Sequence, residues 1–112
     1  MVPIFIVSER FTKIASVFID VYAITIFPFI ISREPLQEDV RIHESIHIEQ
    51  QKELAVIFFY ILYGLFFLKG LIQGKGQFEA YLDIPFEKEA YSNEDNLNYL
   101  NIRKRFSWTK YI

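Results

Sequence analysis

Two histidines occur in this 112-residue chain, and they stand four positions apart in His43-Glu44-Ser45-Ile46-His47. In a helix, residues i and i+4 share a face about one turn apart. Two imidazoles so placed can hold one metal ion from the same side, and the glutamate between them can reach a water at that metal. The chemistry on offer is metal-assisted hydrolysis, with His43 and His47 as ligands. Glu44 would be the base that takes a proton as the water attacks. The competing reading is a solvated helical stretch in which Glu44 and Glu49 are surface charges.

Two histidines alone hold zinc poorly, and an open catalytic site usually has three protein ligands. Cysteine is absent, which removes thiolate ligands and disulfides alike. The third ligand must then be an acid. Glu53 is the nearest choice, at the final position of the metzincin pattern H-E-x-x-H-x-x-G-x-x-H. Gln50 stands where that pattern needs glycine for a sharp turn, and a helix that continues carries Glu53 away from His47. The expectation is therefore a glutamate from a later helix.

Glu87-Lys88-Glu89-Ala90-Tyr91 supplies one. Together with His43-Glu44-Ser45-Ile46-His47, it resembles the gluzincin group of zinc metallopeptidases. Several branches of that group take their third ligand from the first Glu of an E-x-x-A-D pattern on a helix after the active-site helix. The Gln50-Gln51 pair and the string from Phe86 to Tyr91 also resemble small bacterial and phage proteins with minimal metallopeptidase domains. The resemblance implies Zn2+ bound by His43, His47 and Glu87, with Glu44 as base and a peptide or protein as substrate. It breaks at Tyr91, where those branches place an aspartate beside a ligand histidine; a tyrosine hydroxyl there could instead bond the reacting oxygen. Glu87 and Glu89 lie about 200° apart around a helix, so only one can face the metal. Glu87 shares its face with Ala90, whose small side chain permits close helix approach, and Glu89 is left for solvent or the opposite side. Gln51, one turn beyond His47, either orients a ligand or is a buried amide bonded to backbone.

The elements that would position these groups follow from pattern. Residues 2–31 are rich in Ile, Val, Phe and Tyr, which predicts strands over 12–19 and 21–27 after a turn at 8–10. Pro28 puts the last of them at a sheet edge or bulge, and a helix over 14–31 is the competitor. After a turn at 32–35, a helix is expected over 40–54, with Glu38 and Asp39 at its positive end and Asp39 as N-cap. Residues 54–68 carry no charge, and the apolar run extends to Ile72 across Lys69. Membrane spans need about 20 apolar residues, so 54–72 is read three ways: a core helix, a helix in or on a membrane, or a partner-binding helix. Gly70, Gly74 and Gly76 are expected to form the following loop, and Pro85 to open a new helix interrupted at 92–95. The aromatic tail from Phe106 to Tyr111 should pack back on the domain.

Composition sets the remaining limits. One domain spanning 1–112 is expected, and an apolar fraction of 52% excludes a disordered chain. Lys+Arg 12 against Asp+Glu 14 provides no basic field for nucleic acid. Arg103, Lys104, Arg105 and Lys110 are read as a solvated helix end. The start, Met1-Val2-Pro3-Ile4, has no charged segment before an apolar run, so no signal peptide is expected, and location is read as cytoplasmic or membrane-associated. The predicted class is α+β, a small zincin-like domain: N-terminal antiparallel strands, the His-bearing helix, an apolar second helix and a helical C-terminal part. The functions carried forward are a zinc-dependent hydrolase of peptide or amide bonds, a small membrane-associated interaction protein and a non-catalytic metal-binding module.

Overall fold

Near the N-terminus, runs of β-branched and aromatic residues form three short strands: β1 (Ile4–Val7), β2 (Ala23–Ile26) and β3 (Phe29–Ser32). The structure, a computed structural model, describes residues 3–8, 23–32 and 35–112. Strand order is β1-β3-β2. β2 and β3 form an antiparallel pair across the Phe27-Pro28 turn, whereas β1 joins β3 in parallel, with Ile6 opposite Ile31. The expected purely antiparallel layer is therefore corrected to a mixed sheet. The sequence pattern does not single out β1 or β3. The predicted strand 12–19 lies outside the described residues, and β2 falls within the predicted 21–27. Pro28 sits in the turn, where its missing N–H costs no ladder bond, and its carbonyl accepts from Ile4 N at 2.9 Å.

Five helices follow, so the α+β chain is mostly helical: α1 (Glu38–Glu53), α2 (Ile57–Ile72), α3 (Gln77–Leu82), α4 (Pro85–Asn93) and α5 (Tyr99–Ile102). A 3-10 turn, Ser107–Tyr111, ends the chain. In α1 the acids Glu38 and Asp39 occupy the first turn, but Gln37 is the N-cap and makes no side-chain cap bond. Asp39 instead accepts from its neighbour Val40 N at 2.9 Å. Ile48 of α1 meets Ile30 and Leu36 under the sheet, while Ile42 and Ile46 meet Ala90 of α4. The small Ala90 side chain is fully buried, as the close approach of these two helices requires.

Ala55 and Val56 take positive φ, 53° and 64°, and α2 leaves α1 at 112°. No glycine marks this bend, and β-branched residues resist that region. Phe59 of α2 joins Ile84, Phe86 and Trp108 in a third core cluster. Trp108 lies 4.8 Å from Phe86 between ring centroids, so the tail packs back as expected. Gly70 is a correction: it lies inside α2, where a Cβ would come within 2.8 Å of Ala80 Cβ, and its absence lets α3 pack against α2. Gly74, at φ 89°, does end the segment in a turn.

Two charged side chains are buried, and one of them departs from expectation. Glu89 is fully buried, and Arg103, read as solvated, has a side chain only 4% exposed. The Arg103 guanidinium donates to Glu89 through Nε at 2.6 Å and Nη2 at 3.1 Å, and to Glu53 through Nη1 at 2.8 Å and Nη2 at 3.0 Å. Tyr99 adds a hydroxyl bond to Glu89 at 2.7 Å. Burial alone would raise the Glu89 pKa, but Arg103, Gln50 and Tyr99 outweigh it and hold the carboxyl below its usual range. Removing one partner of such a buried pair strands the opposite charge. Arg103→Met should therefore cost about 3–5 kcal/mol in a denaturant unfolding curve.

Candidate metal centre

The i, i+4 spacing works as the sequence predicts, because α1 runs unbroken through both histidines. His43 Nε2 and His47 Nε2 lie 3.2 Å apart. Pro85 opens α4 at its first position, which sets Glu87 in the first turn, near the positive end of the helix. Glu87 Oε1 lies 3.0 Å from His43 Nε2 and 3.1 Å from His47 Nε2. All three residues are buried, and together they form a group that could hold a metal ion. Glu89 projects to the other side of α4, onto Arg103, and Glu53 is bound to the same guanidinium.

Further bonds orient each of the three side chains. Tyr63 of α2 donates its hydroxyl to Glu87 Oε2 at 2.6 Å. His43 Nδ1 lies 2.9 Å from Glu94 Oε2, and His47 Nδ1 lies 2.7 Å from Gln50 Oε1. A carboxylate or carbonyl on Nδ1 fixes the tautomer that leaves Nε2 free for a metal. Glu94, rather than the residue at position 91, thus supplies the carboxylate beside His43. It arrives from seven residues after Glu87, two helical turns along the same face. That periodicity was available in the sequence; the Tyr63 and Gln50 contacts had no comparable signal.

Electrostatics agree with the geometry. Burial opposes a charge on His47, but the Glu87 carboxylate, with help from Glu44 and the Gln50 oxygen, raises its pKa to about 9. Burial would likewise raise the Glu87 pKa, yet His47, His43 and Tyr63 hold it well below the carboxylate range. The site thus concentrates an ionised acid against two ring nitrogens and favours a cation among them.

A cleft of about 270 Å³ opens beside these groups, lined by the three ligands, Glu44, Thr25, Gln51, Phe59 and the tyrosines 60, 63 and 81. Glu44 accepts a hydrogen bond at Oε2 from the Thr25 hydroxyl on β2. Tyr60 donates to the Thr25 carbonyl at 2.9 Å and ties α2 to the sheet edge. Tyr91 does not line the cleft. Its ring meets that of His43 in a T-shaped contact with centroids 4.4 Å apart, and its hydroxyl lies 2.9 Å from that of Tyr81, which does line it. Gln51 is buried, but its Oε1 has no hydrogen-bond partner among the described residues, so the backbone-bonded amide expected there is not seen for that atom.

No family model, curated protein or solved structure matches this chain. Residue chemistry alone therefore carries the site. Equilibrium dialysis with Zn2+ should give stoichiometric binding to the parent and its loss in His47→Ala and Glu87→Ala. Glu94→Gln should bind about 10–100-fold more weakly.

Proposed function

We propose that this chain is a zinc-dependent hydrolase of peptide or related amide bonds, built on a minimal zincin-like domain. The observation that carries the reading is the convergence of Glu87 with His43 and His47, with Glu44 in the same cleft. The donor set fits zinc. Tetrahedral ligands at about 2.0–2.1 Å stand roughly 3.3 Å from one another, and the three donor atoms here are 3.0–3.2 Å apart. Two neutral imidazoles and one carboxylate, each oriented by a further hydrogen bond, are ligands suited to an open catalytic site.

When bound, zinc supplies Lewis-acid polarisation and makes a water acidic enough to attack at neutral pH. The residues of the chain do the rest. Glu44 takes the proton as the water oxygen bonds to the carbonyl carbon, then returns it to the amine nitrogen as the C–N bond breaks. Thr25 holds the Glu44 carboxylate towards the cleft. Tyr81, supported by Tyr91, places a hydroxyl at the wall where charge develops on the carbonyl oxygen. Burial, Glu87 and the hydrogen bond to Tyr91 push the Tyr81 pKa up, which keeps that hydroxyl protonated. Glu44→Gln should keep full zinc stoichiometry and lose hydrolysis of a fluorogenic peptide library. Turnover equal to the parent's would remove Glu44 from the base role.

A second reading, independent of the metal, rests on α2. Among the described residues no single helix is long and apolar enough to span a membrane. Yet Ile57, Phe58, Ile61, Leu65, Leu68 and Ile72 are each 50–77% exposed, and at 100° per residue they fall within one face. No Asp or Glu occurs from 54 to 78, where Lys69 and Lys75 stand. This pattern suits a helix lying on an anionic lipid surface. The parent should co-sediment with phosphatidylglycerol vesicles and Ile61→Asp/Leu65→Asp should not; a parent that stays in the supernatant would sink this reading.

A further inference from the structure

Gln50 touches no metal-ligating atom with its donors, yet its amide is bonded at both ends. The Nε2 group donates to Phe86 O at 3.0 Å and to Glu89 Oε1 at 3.0 Å. Its Oε1 lies 2.7 Å from His47 Nδ1. The two ends of an amide differ: the nitrogen only donates and the oxygen only accepts. Turning this one over would press the carbonyl oxygen against two other oxygens, one of them on a carboxylate. It would also aim an N–H at the proton that His47 carries on Nδ1. The amide has one tolerable orientation, and the buried Glu89 charge does most to enforce it. Arg103 and Tyr99 in turn hold that charge in place.

We propose that Gln50 is a positioning residue of the metal centre, and that the chain Glu53–Arg103–Glu89 acts on His47 through its amide. The proposal rests on the metal-site reading above. It follows that His47 presents Nε2 because a buried ion pair at the other end of the Gln50 amide fixes which end faces Nδ1. The same amide secures the opposite ligand. Phe86 is the residue before Glu87, so its bond to Gln50 Nε2 pins the first turn of α4 against α1. One side chain thereby sets a ring orientation on one helix and a backbone position on the other. The two histidines are oriented differently: a carboxylate, Glu94, faces His43, and a neutral amide faces His47. The buried negative charge that governs His47 is set back by one residue, where Arg103 neutralises it.

Gln50→Met removes both ends of the amide at similar volume. Chelator competition should show zinc bound about 10–100-fold more weakly than in the parent. In the zinc-loaded, histidine-labelled protein, NMR should show the His47 Nδ1–H protected from exchange in the parent and unprotected in the variant, with the His43 proton unchanged. Leu36→Ala opens a cavity beside Ile30 and Ile48, away from the Gln50 amide and its partners, and should lower thermal stability while leaving zinc affinity as it was. Gln50→Asn keeps an amide too short to span His47 and Glu89, and repeats the test if the methionine variant does not fold. Parent-like zinc affinity in a folded Gln50 variant would overturn the proposal and leave the metal site standing. An equal loss of affinity in Leu36→Ala would overturn it too, because the effect would then follow stability alone. A parent that binds no zinc would sink the metal site and this proposal together.

Discussion

A carboxylate taken out of water is costly unless positive charge or several donors face it. Glu87 is buried between two imidazoles and a tyrosine hydroxyl, and most of the fold holds those groups together. α1 brings both histidines to one face, α4 begins at a proline so that Glu87 falls in its first turn, and α2 bends back to deliver Tyr63. The ionised form is favoured by the ring nitrogens and by the positive end of α4. Such a centre favours a cation, either a proton shared with His47 or a metal ion, and its donor spacing accommodates both.

Two neighbouring acids on α4 have opposite environments and separate functions. Glu87 faces α1 and the cleft, while Glu89 faces Arg103 in a buried ion pair that also includes Glu53. A short helix with two buried carboxylates would be self-repelling if both faced the same space. Placing them on opposite sides, one against imidazoles and one against a guanidinium, lets both stay ionised. Gln50 joins the two sides, and α1, α4 and the Arg103 segment hold together through it rather than through apolar contact alone.

The apolar helix α2 contributes one face to the protein and leaves another uncovered. Phe59, Leu62, Tyr63, Phe66 and Phe67 turn inwards around Phe86, whereas six large apolar side chains point outwards. That division explains why composition alone left its place open: both faces are apolar, so no polar stripe tells the buried side from the open one. The bend at Ala55 and Val56 decides which side meets the core, and it has no glycine or proline to announce it.

Much of the metal centre was legible in the sequence by itself. Helical periodicity set His43 and His47 on one face, the lack of cysteine required an acid, the separation of Glu87 from Glu89 around a helix allowed only one of them, and the small Ala90 on its face favoured Glu87. The helix over 40–54, the helix opened by Pro85 and the packing of the tail were legible for the same local reasons. Tertiary structure decided the rest, because the deciding partners are distant in the chain. β1 pairs in parallel with β3, far along the chain, and no local pattern encodes that choice. Arg103 reads as a surface charge until Glu53 and Glu89 are brought around it. Glu94 takes the position beside His43 only once α4 lies against α1. Local spacing determined which residues could bind a metal; long-range packing decided how each is oriented, since only folding removes the water that would otherwise compete for every one of those bonds.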